Sequence, residues 1–442
     1  MRYLKVFIAA FACAVFIHAQ EEQAARPVQP VASIVNITRA EAEGQALKNN
    51  PRISAAHLLA LAAGQATREM RSAELPQIGS NITAVKAEDA SRIGAGTLNP
   101  SALYTHAGGG GTLSQLITDF GRTHNLVANA KLQEKAQQQT ALATEQDILL
   151  ATDHAFYRLL DAQSLLDVAK ATVQARGDVL NLTQALTKSA LKSELDLNIA
   201  AADMSQAQLL QLDAENSVAS ARAELAALLA AAPDTIYHAV EDAKTAAPPP
   251  QLTQALMDEA RVQRPDLEAL QLQVQADQKL AKAQQEQHLP TISASAIGGV
   301  TPVRPDGVFN ENWYAAAGVN LSLPIFTGFR ISAEAKEARL REQADEKRRD
   351  DAGNSISRDV RVAALAAQTA YQRISVTGDF QKEAAQALEL AKTRYKLGLS
   401  SIVELSQAQL QSTQASVEAV NARFDYLLSL RSLAYARGLL AP

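Results

Sequence analysis

The chain is written twice, and that constrains its fold more than any single motif. Pro51 answers Pro265 and Leu75-Pro76 answers Leu289-Pro290, both at an offset of 214 residues, and Ile37-Thr38 answers Leu252-Thr253. Leu113-Ser114 then answers Leu321-Ser322, Arg122 answers Arg330, Ala130 answers Ala338 and Leu197 answers Leu405, all at an offset of 208. A repeat must be read before anything else, because each copy is one structural unit stacked on the next. The constant offset means that no insertion separates the later parts of the two halves, which suits rigid rods of fixed length. The seam is Ala246 to Pro250, whose three prolines cannot continue a helix. Residues 37–245 are thus read as the first repeat and 251–442 as the second.

Both halves give one order of elements. A helix follows the first proline (Ile53 to Leu75; Leu267 to Leu289) and stops before the second, because proline disfavours helix in the residue preceding it. Two strands come next, near Gln77 to Ala87 and Tyr104 to Ile117, and near Thr291 to Val300 and Trp313 to Phe326. In the last of these Trp313, Ala315, Ala317, Val319, Leu321, Leu323 and Ile325 alternate with Tyr314, Ala316, Gly318, Asn320 and Ser322, the period of a strand with one apolar face.

Beyond the strands, helical patterns run from Asp119 to about Thr187 and from Thr327 to about Lys396, each on the order of 100 Å at about 1.5 Å per residue. Turns at Lys188 to Lys192 and Leu397 to Ser400 reverse the chain into helices over Ser193 to Ala232 and Ser401 to Gly438. Leu197, Met204, Gln211, Val218 and Leu225 recur every seven residues with Ala200, Ala207, Ala214, Ala221 and Leu228; in the second half Leu405, Ser412, Ala419, Tyr426 and Leu433 pair with Ala408, Ala415, Ala422, Ser429 and Ala436. These heptads predict a coiled-coil seam whose small residues let helices lie side by side as a wall. A helix of about 23 residues and another of about 40 nearly match the long one of about 69, so two short helices stacked end to end are expected beside each long one.

Composition excludes several functions. A net charge of −5 offers no basic surface for nucleic acid. The seven histidines show no paired helical spacing, so no metal site is expected, and no titratable cluster suggests an enzyme. The run Gly108 to Gly111 lacks the lysine and hydroxyl of a phosphate loop. No cofactor is expected.

Arg2 and Lys5 before the apolar run Val6 to Ile17 read as an export signal, cleaved after Ala19, with residues 20–36 as an extended linker. Cys13, the one cysteine, lies within that signal, and Phe11 sits where a lipid-anchor site needs small residues. Past Gln20 no apolar stretch reaches the roughly 18 to 20 residues of a spanning helix, so membrane insertion would require a closed β-barrel. Four strands cannot close one; three copies would supply twelve. Trp313 and Tyr314 at one strand end, with Phe326 and Phe329 at the other, fit interfacial aromatic girdles. A periplasmic coiled-coil scaffold that never enters a membrane shares the signal and the heptads and is the competing expectation.

The duplicated halves, the Leu-Pro ending each pre-strand helix, the run Leu321-Ser-x-Pro-Ile-Phe-Thr-Gly328 and Tyr395-x-x-Gly398-x-x-x-x-Val403-Glu404-Leu405 resemble the TolC-like outer-membrane factor family. The resemblance implies a mainly α fold with a membrane β-barrel: long-helix coiled-coil hairpins form a tube, and four strands per protomer complete a twelve-stranded barrel in a homotrimer. It implies a passive outer-membrane duct set in outer-membrane lipids. Its partners would be a periplasmic adaptor and an inner-membrane pump or transporter. By position, Leu397, Gly398, Leu399 and Ser400, with Ala190 and Leu191 in the first half, match the tips that dock the adaptor, although Gly398 alone requires no more than a tight turn. Ala190 departs from the family's usual glycine. Asp196 and Glu404 match acids at the periplasmic gate, where six carboxylates in a trimer would repel one another and favour cations; a solvated helix face is the plainer reading of the same residues. Gln407 stands where relatives often carry a second acid. Tyr395 matches a tyrosine that hydrogen-bonds in the closed tip.

Overall fold

The structure, a computed structural model, describes residues 34–86, 92–93, 101–102, 106–232, 235–241, 247–300 and 313–440. The export signal and residues 20–33 of the expected linker lie outside these. Residues 34–36 are not linker: Ile34–Ile37 is strand β1. The chain continues through α1 (Arg39–Asn49), α2 (Pro51–Ser72), β2 (Gln77–Val85), the two-residue pair β3 (Arg92–Ile93) and β4 (Ser101–Ala102), and β5 (His106–Thr118). Then follow α3 (Arg122–Lys188), α4 (Glu194–Leu228), β6 (Ile236–Ala239), α5 (Gln254–Gln263) and α6 (Pro265–Gln285). The last elements are β7 (Thr291–Val300), β8 (Trp313–Ser322), α7 (Arg330–Lys396) and α8 (Ile402–Ala436).

The halves match in length as well as order. Helices α3 and α7 each have 67 residues and α4 and α8 each have 35. Helices α4 and α8 fold back along α3 and α7, and α8 also lies on α3, so the two hairpins stand side by side. The heptad positions form the seams: Ala200, Ala207, Val218, Ala221 and Leu225 are buried on α4, and Leu405, Ala415, Ala422, Tyr426, Leu433 and Ala436 on α8. Six of these eleven seam residues are alanine, and there the helices can approach closely.

End-to-end stacking is visible at both junctions. Asn50, which caps α2 by accepting from the amide of Arg52 at 2.9 Å, donates to the carbonyl of Leu228 at the end of α4, also at 2.9 Å. In the second half Gly438, two residues past the end of α8, faces the backbone of Gln263 and Arg264 so closely that a Cβ there would sit 2.8 Å from the Gln263 carbonyl. Arg437 reaches Glu259 of α5 at 2.8 Å.

Helix α1 and strands β1 and β6 form a small layer against α3, α4 and α8. β1 and β6 pair in parallel, Ile34 opposite Ile236 through Ile37 opposite Ala239. Ile37, Ala42, Ala46, Tyr237 and Ala239 are buried with Phe156, Leu159, Leu160, Val218, Leu225 and Phe424. The proline-to-proline reading of the sequence passes over this layer. One signal for it is present: Thr38 and Glu41 make a capping box, with the Glu41 carboxylate accepting from the Thr38 amide at 2.9 Å.

Candidate functional site: the open sheet and the helical tips

Four strands pair antiparallel in the order β2-β5-β7-β8. Register places Ile78 and Ile82 of β2, Leu113 of β5, Ile292, Ala294, Ala296 and Val300 of β7, and Trp313, Ala315, Ala317, Val319 and Leu321 of β8 on one face, with Ser80 and Gln115 as its polar members. The other carries Asn81, Thr83, Thr112, Ser114, Ser293, Ser295, Asn320 and Ser322, with Val85, Leu116 and Ile297 as its large apolar members. Every residue of β8 is exposed, so among the described residues no second layer covers either face. Ile82 is 90% and Ile78 83% exposed, each forgoing about 2 kcal/mol of burial if water lay against it. An apolar face of this kind belongs against lipid, and both outer strands keep unpaired edges that other strands must satisfy.

Alternation corrects one aromatic position. Trp313 lies on the apolar face, but its neighbour Tyr314 lies on the polar one. There its hydroxyl crosses the glycine track: a Cβ on Gly110 would sit 2.6 Å from the Tyr314 oxygen and one on Gly299 2.9 Å. The glycines of β5 and β7 thus make room for Tyr314, and Trp313 and Tyr314 do not belong to one girdle. Phe326 and Phe329 are exposed beyond the other end of β8, their rings 5.6 Å apart edge to face.

At the far ends of the long helices, two turns share one backbone plan. Ala190 has φ 58° and Gly398 φ 75°. The amide of Leu191 donates to the carbonyl of Leu186, and that of Leu399 to Arg394, both at 2.9 Å. These are left-handed helix ends, the kind that favour glycine. Leu191, Leu397 and Leu399 stand exposed around the turns, while Ser400 is partly covered, its hydroxyl buried.

Tyr395 is fully buried among Val179, Ala200, Ala391, Ile402 and Leu405. Its hydroxyl lies 3.2 Å from that of Thr183 on α3, and the Lys192 ammonium sits 4.4 Å from its ring centre. Burial pushes its pKa up, so the phenol keeps its proton. Lys192 also donates to the carbonyl of Ser400 at 3.4 Å, tying one turn to the other.

The two acids differ in what they do. Asp196 is the third residue of α4 and closes a capping box, accepting from the Ser193 amide at 3.2 Å while its own amide donates to the Ser193 hydroxyl. Glu404 stands at the same position of α8, and its amide donates to Ser401. Its carboxylate instead meets Arg394 at 3.1 Å, half exposed. Asp196 therefore also serves its helix start, a role that Ser193 three residues earlier signals in the sequence; Ser401 gives the same signal for Glu404, whose carboxylate turns to Arg394 instead.

Sequence reading misses a lock above the tips. The buried Arg176 guanidinium of α3 donates to Asp203 of α4 at 2.9 Å and to Gln409 of α8 at 2.5 Å, and Ser406 of α8 donates to the same Asp203 oxygen at 2.6 Å. Burial lowers the pKa of Arg176 and the charge of Asp203 opposes that shift. One network thus joins three helices from both halves. Its members are far apart in the chain and match no motif, so only the fold brings them together.

The family model for outer membrane efflux proteins matches residues 43–231 and 256–439. The chain is 26% identical over 418 residues to the outer membrane protein TolC of Vibrio cholerae, covering 91% of each, and 25% identical over 424 residues to TolC of Escherichia coli K12, covering 90% of this chain and 81% of that one. It shares its fold with the Campylobacter jejuni CmeC outer membrane channel, with a TM-score of 0.79 at 18% identity over 90% of this chain and 85% of that one. An open sheet with one lipid-suited face, long paired hairpins and two matched halves all agree with these likenesses: the chain belongs to the outer membrane efflux protein family and is a protein of the outer membrane.

Proposed function

We propose that the chain is one third of a passive duct that exports small molecules or polypeptides. Three copies close their strands into a twelve-stranded barrel, and their hairpins form a tube across the periplasm. The carrying observation is the sheet itself, apolar on one face, polar on the other and, among the described residues, covered on neither and open at β2 and β8. Pairing β8 of one copy with β2 of the next satisfies both edges and places Ser293, Asn320 and their neighbours around a wet bore.

The exposed leucines at the turns, Leu191, Leu397 and Leu399, together with Ala190, Gly398 and Ser400, form the surface that meets a periplasmic adaptor. An inner-membrane pump or transporter drives export through it. The duct performs no chemistry; its work is to open and close. Tyr395 and the Arg176 network hold the two hairpins together in the closed tip, and Asp196 and Glu404 line the entrance. Residues 37–245 and 251–442 act as two equivalent staves of the wall.

Extraction tests the membrane part. The mature protein should resist sodium carbonate, come out in detergent and give discrete conductance steps in a planar bilayer. Release by carbonate without detergent would instead identify a periplasmic scaffold.

A further inference from the structure

Where α4 ends and α2 begins, a recess of about 650 Å³ opens among α3, α4 and α8. That volume lies within the roughly 300–1,000 Å³ of drug-sized sites. Ala155, Leu228, Phe424 and Leu428 give it an apolar floor, and Asp161, Glu224 and Asp425 bring carboxylates to it.

Its direction follows from helix faces. On α3, Phe156 and Leu160 pack into the layer of α1, β1 and β6, and Gln163 donates to Ala239 at 3.2 Å. On α8, Leu427 packs against that layer, while Arg423 reaches Glu241 and Arg431 reaches Glu43, both at 2.6 Å. At about 100° per residue, Arg158 and Asp161 of α3 and Asp425 of α8 point away from that layer. A duct can carry an added layer only on its outside, or the bore would be blocked. The recess therefore faces the bore, a step that rests on the duct reading above.

Its charges are not balanced internally. Glu224 is matched by Arg158 at 3.1 Å and Asp425 by Arg373 at 3.3 Å. Asp161 has a buried carboxylate oxygen with no hydrogen-bond partner among the described residues. Burial, with the charge of Asp425 adding to it, pushes its carboxyl up to about 6, so it is still largely ionised at neutral pH. His154 supplies no positive charge, because burial lowers its pKa. A buried anionic oxygen without a donor is costly, and an arriving cation removes that cost.

We propose that this recess is a cargo station on the inner wall that takes hydrophobic organic cations, with their ring system on Leu228 and Leu428 and their positive charge at Asp161. Three copies of the chain provide three such stations at one height in the tube.

The test uses ethidium as the cation and Nile red as a neutral dye, each titrated by fluorescence anisotropy into the purified, detergent-extracted assembly. Ethidium should bind saturably, and Asp161→Asn should weaken it about tenfold or more while leaving Nile red unchanged. Leu428→Arg, which tethers a cation beside Asp161, should abolish ethidium binding. The same preparations go into planar bilayers. Channels that conduct normally yet bind ethidium no better than Nile red, or bind it equally well in Asp161→Asn, overturn the station and leave the duct standing. A preparation that folds but never conducts overturns the duct reading, and the assignment of the recess to a bore falls with it.

Discussion

Four residues at the offset of 208 report how the two halves differ: Ala190 and Ala230 take left-handed backbone in the first, where Gly398 and Gly438 do so in the second. The left-handed region costs a residue with a Cβ about 1 kcal/mol or more. At Gly398 nothing lies within 4 Å of an added Cβ, whereas at Gly438 the backbone of Gln263 and Arg264 stands within 3 Å. Ala190→Gly should therefore raise stability by about 1 kcal/mol and Gly398→Ala lower it by about as much, with Gly438→Ala clearly worse than either. Thermal melts of the detergent-extracted protein rank the three; equal losses at 398 and 438 would contradict the close contact. A second residue-scale effect lies at Asp153, fully buried beside Glu43 with Arg431 at 2.5 Å and Arg39 at 3.9 Å. Burial, with a hydrogen bond to Glu43, pushes its carboxyl up to about 7. The folded chain then holds a proton that the unfolded chain has lost, so this group's stabilisation is full below about pH 4 and disappears as pH rises to about 7. Asp153→Asn copies the protonated acid, accepting from Arg431 and donating to Glu43. It should match the parent in melts at pH 5 and exceed it at pH 8; a parent that is more stable at both would refute the shared proton.

Among the elements, those set by a strong period are legible in the sequence and those set by tertiary contact are not. The strand read over Thr291 to Val300 is β7 to the residue, and the long helices end within a few residues of where proline, glycine and the heptads place them. Helices α1 and α5 do carry an apolar face, Ala42 with Ala46 and Leu256 with Met257 and Ala260, which buries against the long helices, but each runs for only about three turns and so stands out little beside the long patterns. Of the tip, Tyr395 and the turn residues are legible through the family resemblance, and the Arg176 network is legible in nothing but the fold. Removing Asp203 would leave Arg176 buried beside Gln409 alone, at a cost of about 3 kcal/mol. Asp203→Ala should accordingly loosen α4 from α8, seen as faster amide exchange over residues 194–210 and a larger conductance. Joint replacement of Arg176 and Asp203 by leucine should restore slow exchange. On the gate proposed above, Asp196→Ala with Glu404→Ala should reduce cation selectivity of the reconstituted channel. Because Asp196 also caps α4, Asp196→Asn is the control that keeps a capping side chain; selectivity equal to the parent in all of these would remove both acids from the gate.

At the scale of the molecule, one chain is an unfinished object. Among the described residues its sheet has two free edges and two uncovered faces, and exposed apolar residues such as Leu195, Leu209 and Leu212 run along α4 while Val376 and Leu390 run along α7. Helices α4 and α7 are the outer members of the wall, as β2 and β8 are of the sheet, so a single rotation that joins neighbouring copies covers both sets. A scaffold would explain the helices but leaves Ile78, Ile82, Trp313 and Val319 facing water. Electron microscopy of the detergent-extracted mature protein tests this most directly. Threefold particles with a helical tube on the order of 100 Å and a detergent belt at one end are the expected result, and elongated particles with no belt and no threefold axis would contradict it.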